Sequence, residues 1–224
     1  MRELLELRRE GAQILDTRDP AHFAGAHVAG SVNVGLGGSY ATWCGTVLEL
    51  GRPVAIVTDP GREREAAMRL GRIGFDIVAG YLEGGMRALE ARPDLVSRVE
   101  RVTAEALPEL LASADPSLLL DVRTEREWRE RRIGDSLNIP LVRLAQRLGE
   151  LPLDRPIVVH CESGYRSSIG ASVLLREGFG EVADLAGGIA AWESSRLDAG
   201  PRRQRGRPNG QRAETAGRRT GSDP

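Results

Sequence analysis

The sequence contains one pattern twice, and this repeat restricts the folds that the chain can adopt. Residues 14–36 (ILDTRDPAHFAGAHVAGSVNVGL) lie without gaps over residues 119–141 (LLDVRTEREWRERRIGDSLNIPL), a shift of 105 positions. Farther along, residues 52–62 lie over 155–165 at a shift of 103. Four polar positions agree in the first stretch: Asp16 with Asp121, Arg18 with Arg123, Ser31 with Ser136 and Asn33 with Asn138. The chain of 224 residues therefore reads as a tandem duplication of a unit of roughly 100 residues, the size of a small domain.

The alternation within each copy predicts an α/β fold. Short apolar runs such as PVAIVT and PIVVHC read as buried strands, and the amphipathic segments between such runs read as helices. Strands that alternate with helices form a central parallel sheet with helices on both faces. We therefore predict domain 1 over residues 1–97, domain 2 over residues 98–198 and a tail over residues 199–224.

One strand of the first domain is expected to be missing. In the second copy the apolar stretch VERVT (99–103) precedes the first helix, and its counterpart in the first copy would fall before Met1. Two hypotheses account for this difference: the chain derives from a longer ancestor that lost its upstream part, or translation starts farther upstream. The intact mass of the native protein tests the second hypothesis.

Composition bounds the location and the cofactors. No stretch approaches the roughly 20 apolar residues of a membrane span, and the start MRELLELRREG alternates charge with leucine where a secretory signal would be apolar. We therefore expect a cytoplasmic protein with no membrane partner. Two cysteines, Cys44 and Cys161, are too few for a disulfide framework, so both are expected as thiols. The three histidines, at 22, 27 and 160, do not cluster at ligand spacing, so we expect no metal ion and no other cofactor.

The basic residues are distributed unevenly. All 31 are arginine, which excludes covalent chemistry on a lysine amine. The last 24 residues contain seven of these arginines against two acids, are rich in Gly and Pro, and lack apolar periodicity. We expect this tail to be disordered. Nucleic-acid binding by such a tail would be unspecific, so no specific nucleic-acid partner is expected.

The residues that carry chemistry are concentrated around Cys161. An apolar run over 157–159 ends at His160-Cys161, and a polar loop then leads to Arg166-Ser167-Ser168 at the start of an amphipathic helix. Unpaired N–H groups and the positive dipole end at a helix start favour a thiolate and form a cradle for an anion. Gly164 supplies a backbone conformation that lets the loop curl around the sulfur, and Arg166 adds a forked cation suited to an oxyanion. A thiol beyond the carboxyl end of a strand also lies where parallel sheets bind ligands.

Two nearby candidates are expected to be structural. Cys44 follows Trp43 and precedes an apolar helical run with no anion cradle around it, which is typical of an inert core cysteine. His160 neighbours Cys161, but consecutive strand residues point to opposite faces of a sheet. We therefore predict that His160 supports the fold and is not a general base.

Together these segments resemble the rhodanese family. The resemblance rests on the loop CESGYRS (161–167), on LDVR (120–123), on SLNIP (136–140) and on LAGGIAAW ending at Trp192, and it covers nearly all of residues 4–196. It implies two tandem rhodanese-like domains and the activity of a thiosulfate sulfurtransferase. In that family the cysteine takes a sulfane sulfur from a donor such as thiosulfate, holds it as a persulfide, and passes it to a thiol or cyanide acceptor.

The resemblance also assigns roles and partners. Cys161 becomes the catalytic nucleophile, and Asp121 and Arg123 become structural supports. The implied partners are a small sulfur donor, either thiosulfate or glutathione persulfide, and a thiol acceptor. The loop amides that cradle the persulfide, and so bind the substrate, belong to Glu162, Ser163, Gly164, Tyr165, Arg166 and Ser167.

Two details refine the resemblance. Arg131-Arg132 stand where the family often has Gly-His, a difference that affects the rim of the pocket. The tandem pattern, especially GGSYATW (37–43), is similar to the C-terminal part of proteins that fuse a metallo-β-lactamase-like persulfide dioxygenase to rhodanese modules. A separate persulfide dioxygenase is therefore a hypothetical partner of this chain.

Domain 1 is predicted to be chemically silent. Thr58 occupies the place of Cys161 in the ungapped alignment, and a slip of one residue would put Asp59 there. Neither side chain can form a persulfide, and the acids Glu63 and Glu65 near the next helix start would repel an anion. Domain 1 is then either a packing partner or a wall of the substrate cleft.

Two other functions compete with this interpretation. The pattern HCxxGxR is also typical of cysteine phosphatases and arsenate reductases, but their loops need five residues between Cys and Arg, and here there are four, Glu162 to Tyr165. The shorter loop suits a sulfur atom better than a tetrahedral oxyanion. The non-enzymatic alternative is a sulfur-relay or interaction module in which Cys161 accepts sulfur from a protein donor.

Overall fold

The computed structural model describes residues 2–195. The predictions for the tail over 199–224 and for the last residues of domain 2 fall on positions outside this range. Among the helices of the described part, none combines the length and the apolar character that a membrane span requires.

The first half of the chain folds around a small parallel sheet. Its strands are β1 (Gln13–Asp16), β2 (His27–Val28), β3 (Val32–Asn33), β4 (Val54–Val57) and β5 (Val78–Tyr81). Its helices are α1 (Arg2–Arg9), α2 (Pro20–Gly25), α3 (Tyr40–Val47) and α4 (Glu63–Gly71), followed by 3₁₀ turns at Gly85–Leu89 and Pro93–Leu95. The four sheet strands lie in the order β3-β1-β4-β5, all parallel, and β2 stands apart from them.

The second half repeats this arrangement with one more strand. Its strands are β7 (Glu100–Val102), β8 (Leu118–Asp121), β9 (Leu137–Asn138), β10 (Ile157–His160) and β11 (Val182–Leu185), after a short strand β6 (Val96–Ser97). Its helices are α5 (Leu107–Ala112), α6 (Glu125–Glu130), α7 (Tyr165–Arg176) and α8 (Gly188–Ser194), with 3₁₀ turns at Leu141–Gln146 and Leu148–Glu150. The strand order is β7-β11-β10-β8-β9, again parallel throughout.

The missing edge strand of domain 1 is confirmed for the described residues. In the second sheet β7 pairs with β11 and covers that edge, whereas in the first sheet β5, the counterpart of β11, is the last strand. Tyr81 on β5 is consequently 56% exposed. The chain passes between the sheets at residues 98–99, because β6 still pairs antiparallel with β2 of the first half.

The identical polar residues of the two copies make the same contacts. Asp121 accepts hydrogen bonds from the backbone and guanidinium of Arg123, whose Nη2 also donates to the carbonyl of residue 131 at 2.7 Å. Asn138 donates its amide to the carbonyl oxygens of both Asp121 and Arg123 at 2.9 Å. Asp16, Arg18 and Asn33 repeat this network in the first half. Each network fixes the turn that follows the first buried strand of its sheet.

The two halves share one core. A continuous apolar cluster joins Leu15 and Val32 of the first half to Leu120 and Ile169 of the second. Each outer sheet face packs in a smaller cluster of its own, so helices cover both faces of both sheets as predicted. Helix α7 lies at the junction and contacts β3 of the first sheet as well as β10 and β11 of its own. Residues 167–174 of α7 are buried, which places the start of this helix between the two domains.

Candidate functional site

Cys161 lies directly after β10, at the carboxyl end of the second sheet. Its side chain is buried, with 1% of the residue exposed. The backbone N–H of Gly164 donates to the sulfur at 3.2 Å, and Ser167 Oγ lies 3.5 Å from it. Gly164 has a φ of +104°, in the left-handed region that glycine favours, so the predicted curl of the loop is present.

The loop leads straight into α7, whose N-terminus faces the sulfur. The first intrahelical hydrogen bond runs from the N–H of Ser168 to the carbonyl of Gly164 at 3.2 Å. The amides of Tyr165, Arg166 and Ser167 precede that bond and have no acceptor within the helix. They and the helix dipole supply positive potential where a thiolate or persulfide carries negative charge.

The turn at Gly187-Gly188, where α8 begins, contacts the backbone of the cysteine loop. The carbonyls of Cys161 and Glu162 accept hydrogen bonds from the N–H groups of Ile189 and Ala190, at 2.9 and 3.1 Å. Gly188 has a φ of +59°, and a Cβ there would lie 2.7 Å from the carbonyl of Glu162 and closer still to that of Cys161. This position therefore needs glycine both for its backbone conformation and for the space beside the loop.

Arg166, which the sequence predicts to suit an oxyanion, is paired with a carboxylate of its own domain. Its guanidinium donates to both carboxylate oxygens of Glu127, at 2.7 and 2.9 Å. These hydrogen bonds lower the pKa of Glu127 to about 2. The same hydrogen bonds raise the pKa of Arg166, and the nearby Cys161 and Asp121 contribute in the same direction. The guanidinium fork of Arg166 is therefore occupied by Glu127.

Ion pairs connect the cysteine loop to Arg131, one of the two residues that differ from the family pattern. Ser163 is exposed at the tip. Glu162 accepts a hydrogen bond from Arg131 at 2.5 Å and lies 3.7 Å from Nη1 of the buried Arg123. Arg131 also bridges to Glu193 on α8. This edge of the loop is thus a chain of ion pairs, and Arg131 lies at its centre.

Two further residues near the sulfur were not identified from the sequence. Asp184, on β11, is 1% exposed, and burial raises its pKa to about 6 against the influence of Ser167 and Arg101. Nε of Arg101 lies 3.5 Å from a carboxylate oxygen of Asp184, at the edge of the loop next to Gly164. The sequence offered one signal of a special role for Asp184. In the alignment of the two copies Asp184 corresponds to Tyr81, so an acidic residue in one copy replaces an aromatic residue in the other.

His160 and Cys44 occupy the structural positions predicted for them. His160 is completely buried beside Asp121, and burial lowers its pKa to about 4, so its ring is neutral near pH 7. Cys44 lies in the shared core with no exposed surface, and burial raises its pKa to about 12. Neither group carries a charge at neutral pH.

Thr58 is the structural counterpart of Cys161. Val57 and His160 occupy the same register position beside Asp16 and Asp121, so the residues that follow them correspond. The slip to Asp59 is therefore excluded. In this first loop the N–H of Gly61, the counterpart of Gly164, donates to Glu63 Oε1 at 3.1 Å. The amide that would stabilise a sulfur is occupied by a carboxylate.

Metal ligands do not gather at the site. Within residues 2–195, no three His, Cys, Asp or Glu side chains are arranged to hold a metal ion. The groups around Cys161 that can act on a ligand are backbone amides, the Ser167 hydroxyl and arginine guanidinium groups. These groups stabilise an anionic sulfur.

Comparison with known proteins agrees with this geometry. The model of the rhodanese-like domain matches residues 1–92 and 103–195. A protein named sulfurtransferase from Allochromatium vinosum is 38% identical over 94 residues, 42% of this chain and 88% of that protein. Thiosulfate sulfurtransferase GlpE from Shewanella oneidensis is 32% identical over 77 residues, 34% of this chain and 76% of GlpE. The solved thiosulfate sulfurtransferase from Pseudomonas aeruginosa aligns with 84% of this chain and 40% of its own at 24% identity, with a TM-score of 0.42. The family model matches both halves of the duplication, so the chain belongs to the rhodanese-like family, in a tandem arrangement.

Proposed function

We propose that the protein is a sulfurtransferase that carries a sulfane sulfur as a persulfide on Cys161. The observation that carries this proposal is the hydrogen bond from the Gly164 amide to Cys161 Sγ, 3.2 Å long, at the positive end of α7. A cysteine in such a position is a stronger nucleophile than a free thiol at neutral pH. The rhodanese-like family match and the sulfurtransferase names of relatives support the same chemistry.

The proposed first step loads the cysteine. The Cys161 thiolate attacks the sulfane sulfur of thiosulfate, a new S–S bond forms, and the bond to the sulfonate sulfur breaks. Sulfite leaves with the electron pair of the broken bond. The persulfide that remains has the same single negative charge as the thiolate, so the loop amides and Arg166 stabilise both forms.

The second step returns the cysteine to its starting state. A thiolate or cyanide attacks the outer sulfur, the S–S bond of the persulfide breaks, and Cys161 leaves as a thiolate. The product is an organic persulfide or thiocyanate. No proton transfer is needed in either step, which is consistent with the neutral and buried state of His160. A glutathione persulfide would load Cys161 in the same way, with glutathione thiolate leaving.

Two finer assignments belong to this proposal. Thiosulfate is the donor to test first, because GlpE of Shewanella oneidensis is named for it. A separate persulfide dioxygenase is the protein partner to test, a hypothesis that rests only on the sequence pattern GGSYATW (37–43).

Intact-mass spectrometry before and after addition of thiosulfate tests the proposal, with thiosulfate:cyanide sulfur transfer assayed in parallel. We expect a gain of one sulfur atom that maps to Cys161 and disappears with cyanide. Cys161→Ser should abolish the gain and turnover, whereas Cys44→Ser should retain both, because Cys44 is inaccessible in the core.

Three results would redirect the assignment. Equal loss in both cysteine variants would overturn the role of Cys161. Loading by a protein persulfide but not by thiosulfate would favour the relay function. Hydrolysis of phosphate esters without any sulfur adduct would favour a phosphatase.

A further inference from the structure

We propose that the silent domain 1 positions the cysteine loop of domain 2 by clasping the side chain of Tyr165. This inference rests on the proposed function, because it assigns to domain 1 a role in loading Cys161. Tyr165 is the first residue of α7 and directly follows Gly164, whose N–H holds the sulfur. A displacement of Tyr165 therefore changes the geometry at the sulfur.

The Tyr165 side chain leaves its own domain and enters the first. Its hydroxyl donates to the carbonyl of Gly35 at 2.7 Å. Burial against domain 1 raises the pKa of this phenol to about 12. The hydroxyl therefore remains protonated and keeps this hydrogen bond at all ordinary pH values.

Gly38 has no side chain, and the aromatic ring of Tyr165 occupies the space beside it. A Cβ at this position would lie 2.5 Å from Cε2 and 2.8 Å from Cε1 of Tyr165, distances that no side chain tolerates. Gly38 has no left-handed backbone that would otherwise require glycine. Gly35 is also close, since its Cβ would lie 3.4 Å from the ring. Gly37, between them, has open space around the same position. The clasp is therefore the hydrogen bond at Gly35 together with the ring contact at Gly38.

A second contact fixes α7 one turn farther along. The Ser168 hydroxyl donates to Asn33 Oδ1 at 2.7 Å, and the backbone N–H of Asn33 donates to the Ser172 hydroxyl at 2.9 Å. All three side chains are buried. Domain 1 thus holds the first two turns of α7 at three points, of which the first lies beside the cysteine loop.

These contacts give domain 1 a role beyond that of the packing partner considered in the sequence analysis. A passive packing partner would contact α7 through its apolar face alone. Here domain 1 contacts polar groups of Tyr165, Ser168 and Ser172 through directed hydrogen bonds. Directed bonds at the start of the helix determine where the Gly164 amide points relative to Sγ. Tyr165 and Gly38 are therefore positioning residues.

The test compares two neighbouring glycines in the full chain. Gly38→Ala places a methyl group against the Tyr165 ring, whereas Gly37→Ala places the same group in open space. The two readouts are hydrogen–deuterium exchange in residues 161–168 and the rate at which Cys161 gains sulfur from a donor that loads the parent protein. Gly38→Ala should speed exchange in this segment and slow loading by roughly 10- to 100-fold, the cost of misplacing a reacting group by about 1 Å. Gly37→Ala should match the parent in both.

A double variant links the effect to the tyrosine. In a Tyr165→Ala background the ring is gone, so adding Gly38→Ala should change neither readout further. A Gly38→Ala protein that behaves like Gly37→Ala, or an equal effect of Gly38→Ala with and without Tyr165, overturns the clasp. If Gly38→Ala does not fold, Tyr165→Ala alone must still speed exchange in residues 161–168, and unchanged exchange overturns the proposal.

The exchange measurement does not depend on the chemistry of Cys161. If no sulfur donor loads the parent protein, the proposed function fails while the exchange rates still report on the clasp. If the parent loads and Gly38→Ala loads equally well, the clasp fails while the proposed function stands.

Discussion

Glu127 and Arg166 are joined by two hydrogen bonds of 2.7 and 2.9 Å, which connect the start of helix α7 to helix α6. The same carboxylate caps the N-terminus of α6, where it accepts from the backbone and the hydroxyl of Thr124. One side chain therefore stabilises two helix starts. The guanidinium of Arg166 is therefore directed at α6.

We predict that Glu127→Gln lowers the free energy of unfolding by about 1 to 3 kcal/mol at pH 7, because it removes charge-assisted hydrogen bonds in a partly buried position. Hydrogen bonds from Arg166 lower the pKa of Glu127 to about 2, so its contribution is complete above the ordinary value of 4.5 and is lost as pH falls toward 2. Denaturant unfolding of parent and variant at pH 7, 4 and 2.5 measures the difference. A difference that does not shrink with acid would contradict this account.

Asp184→Asn should have the opposite pH dependence. Burial raises the pKa of Asp184 to about 6, so the ionised carboxylate destabilises the folded protein. The stability contributed by this group is complete below the ordinary value of 3.8 and is lost as pH rises through about 6. Relative to the parent, the variant should therefore gain melting temperature between pH 4.5 and pH 7.5. A constant difference across this range would show that Asp184 has the same pKa in the folded and unfolded chain.

Gly188→Ala and Gly85→Ala form a matched pair across the repeat. Both glycines have a φ near +60°, so each substitution should cost roughly 1 to 3 kcal/mol of stability. A Cβ at Gly188 would also strike the carbonyls of Cys161 and Glu162, whereas at Gly85 it would approach the carbonyl of Thr58 at 3.1 Å. We expect sulfur loading to be lost in Gly188→Ala and retained in Gly85→Ala. Intact mass after exposure to thiosulfate measures the gain of sulfur in each variant. Equal loading of the two variants would argue against a role for the turn at Gly188.

Thr58→Cys should not create a second sulfur site. In a Cys161→Ser background the new thiol would follow β4 as Cys161 follows β10, but the Gly61 amide is bound to Glu63. We therefore expect no persulfide on residue 58 after addition of thiosulfate. Adding Glu63→Ala releases that amide and removes a nearby negative charge, so the triple variant should load measurably. Loading of Thr58→Cys without the change at Glu63 would contradict the occupied-amide explanation.

The fold and the position of Cys161 within it were predictable because both depend on local patterns. The repeat located both sheets, and the step from a buried strand to Gly164 and a helix located the thiol. The ion pairs and the clasp were not predictable, because they join residues far apart in the chain. Arg166 lies 39 positions from Glu127, and Tyr165 lies 130 from Gly35. A glycine that leaves space for a distant ring looks in the sequence like any glycine of a turn.

The predicted role of Arg166 shows the same limit. An arginine at a helix start suits an oxyanion by charge and shape, and the sequence holds no local sign of the acid that binds it. Glu127 was visible only as one charge of the stretch TEREWRERR, which reads as a solvated helical face. Asp184 was missed for a different reason. It is a single acid within the short strand β11, and nothing in the sequence indicates that its side chain is buried.

The contacts between Tyr165 and the glycines of domain 1 also bear on which positions of domain 1 can change in sequence. Because Thr58 cannot form a persulfide, sulfur chemistry places no constraint on the loop that contains it. Gly38 and Asn33 are under a different constraint, because both contact domain 2. Gly38 lies against the Tyr165 ring, and Asn33 accepts a hydrogen bond from Ser168. The loop of domain 1 should therefore tolerate substitutions more readily than the surface of domain 1 that receives the Tyr165 side chain.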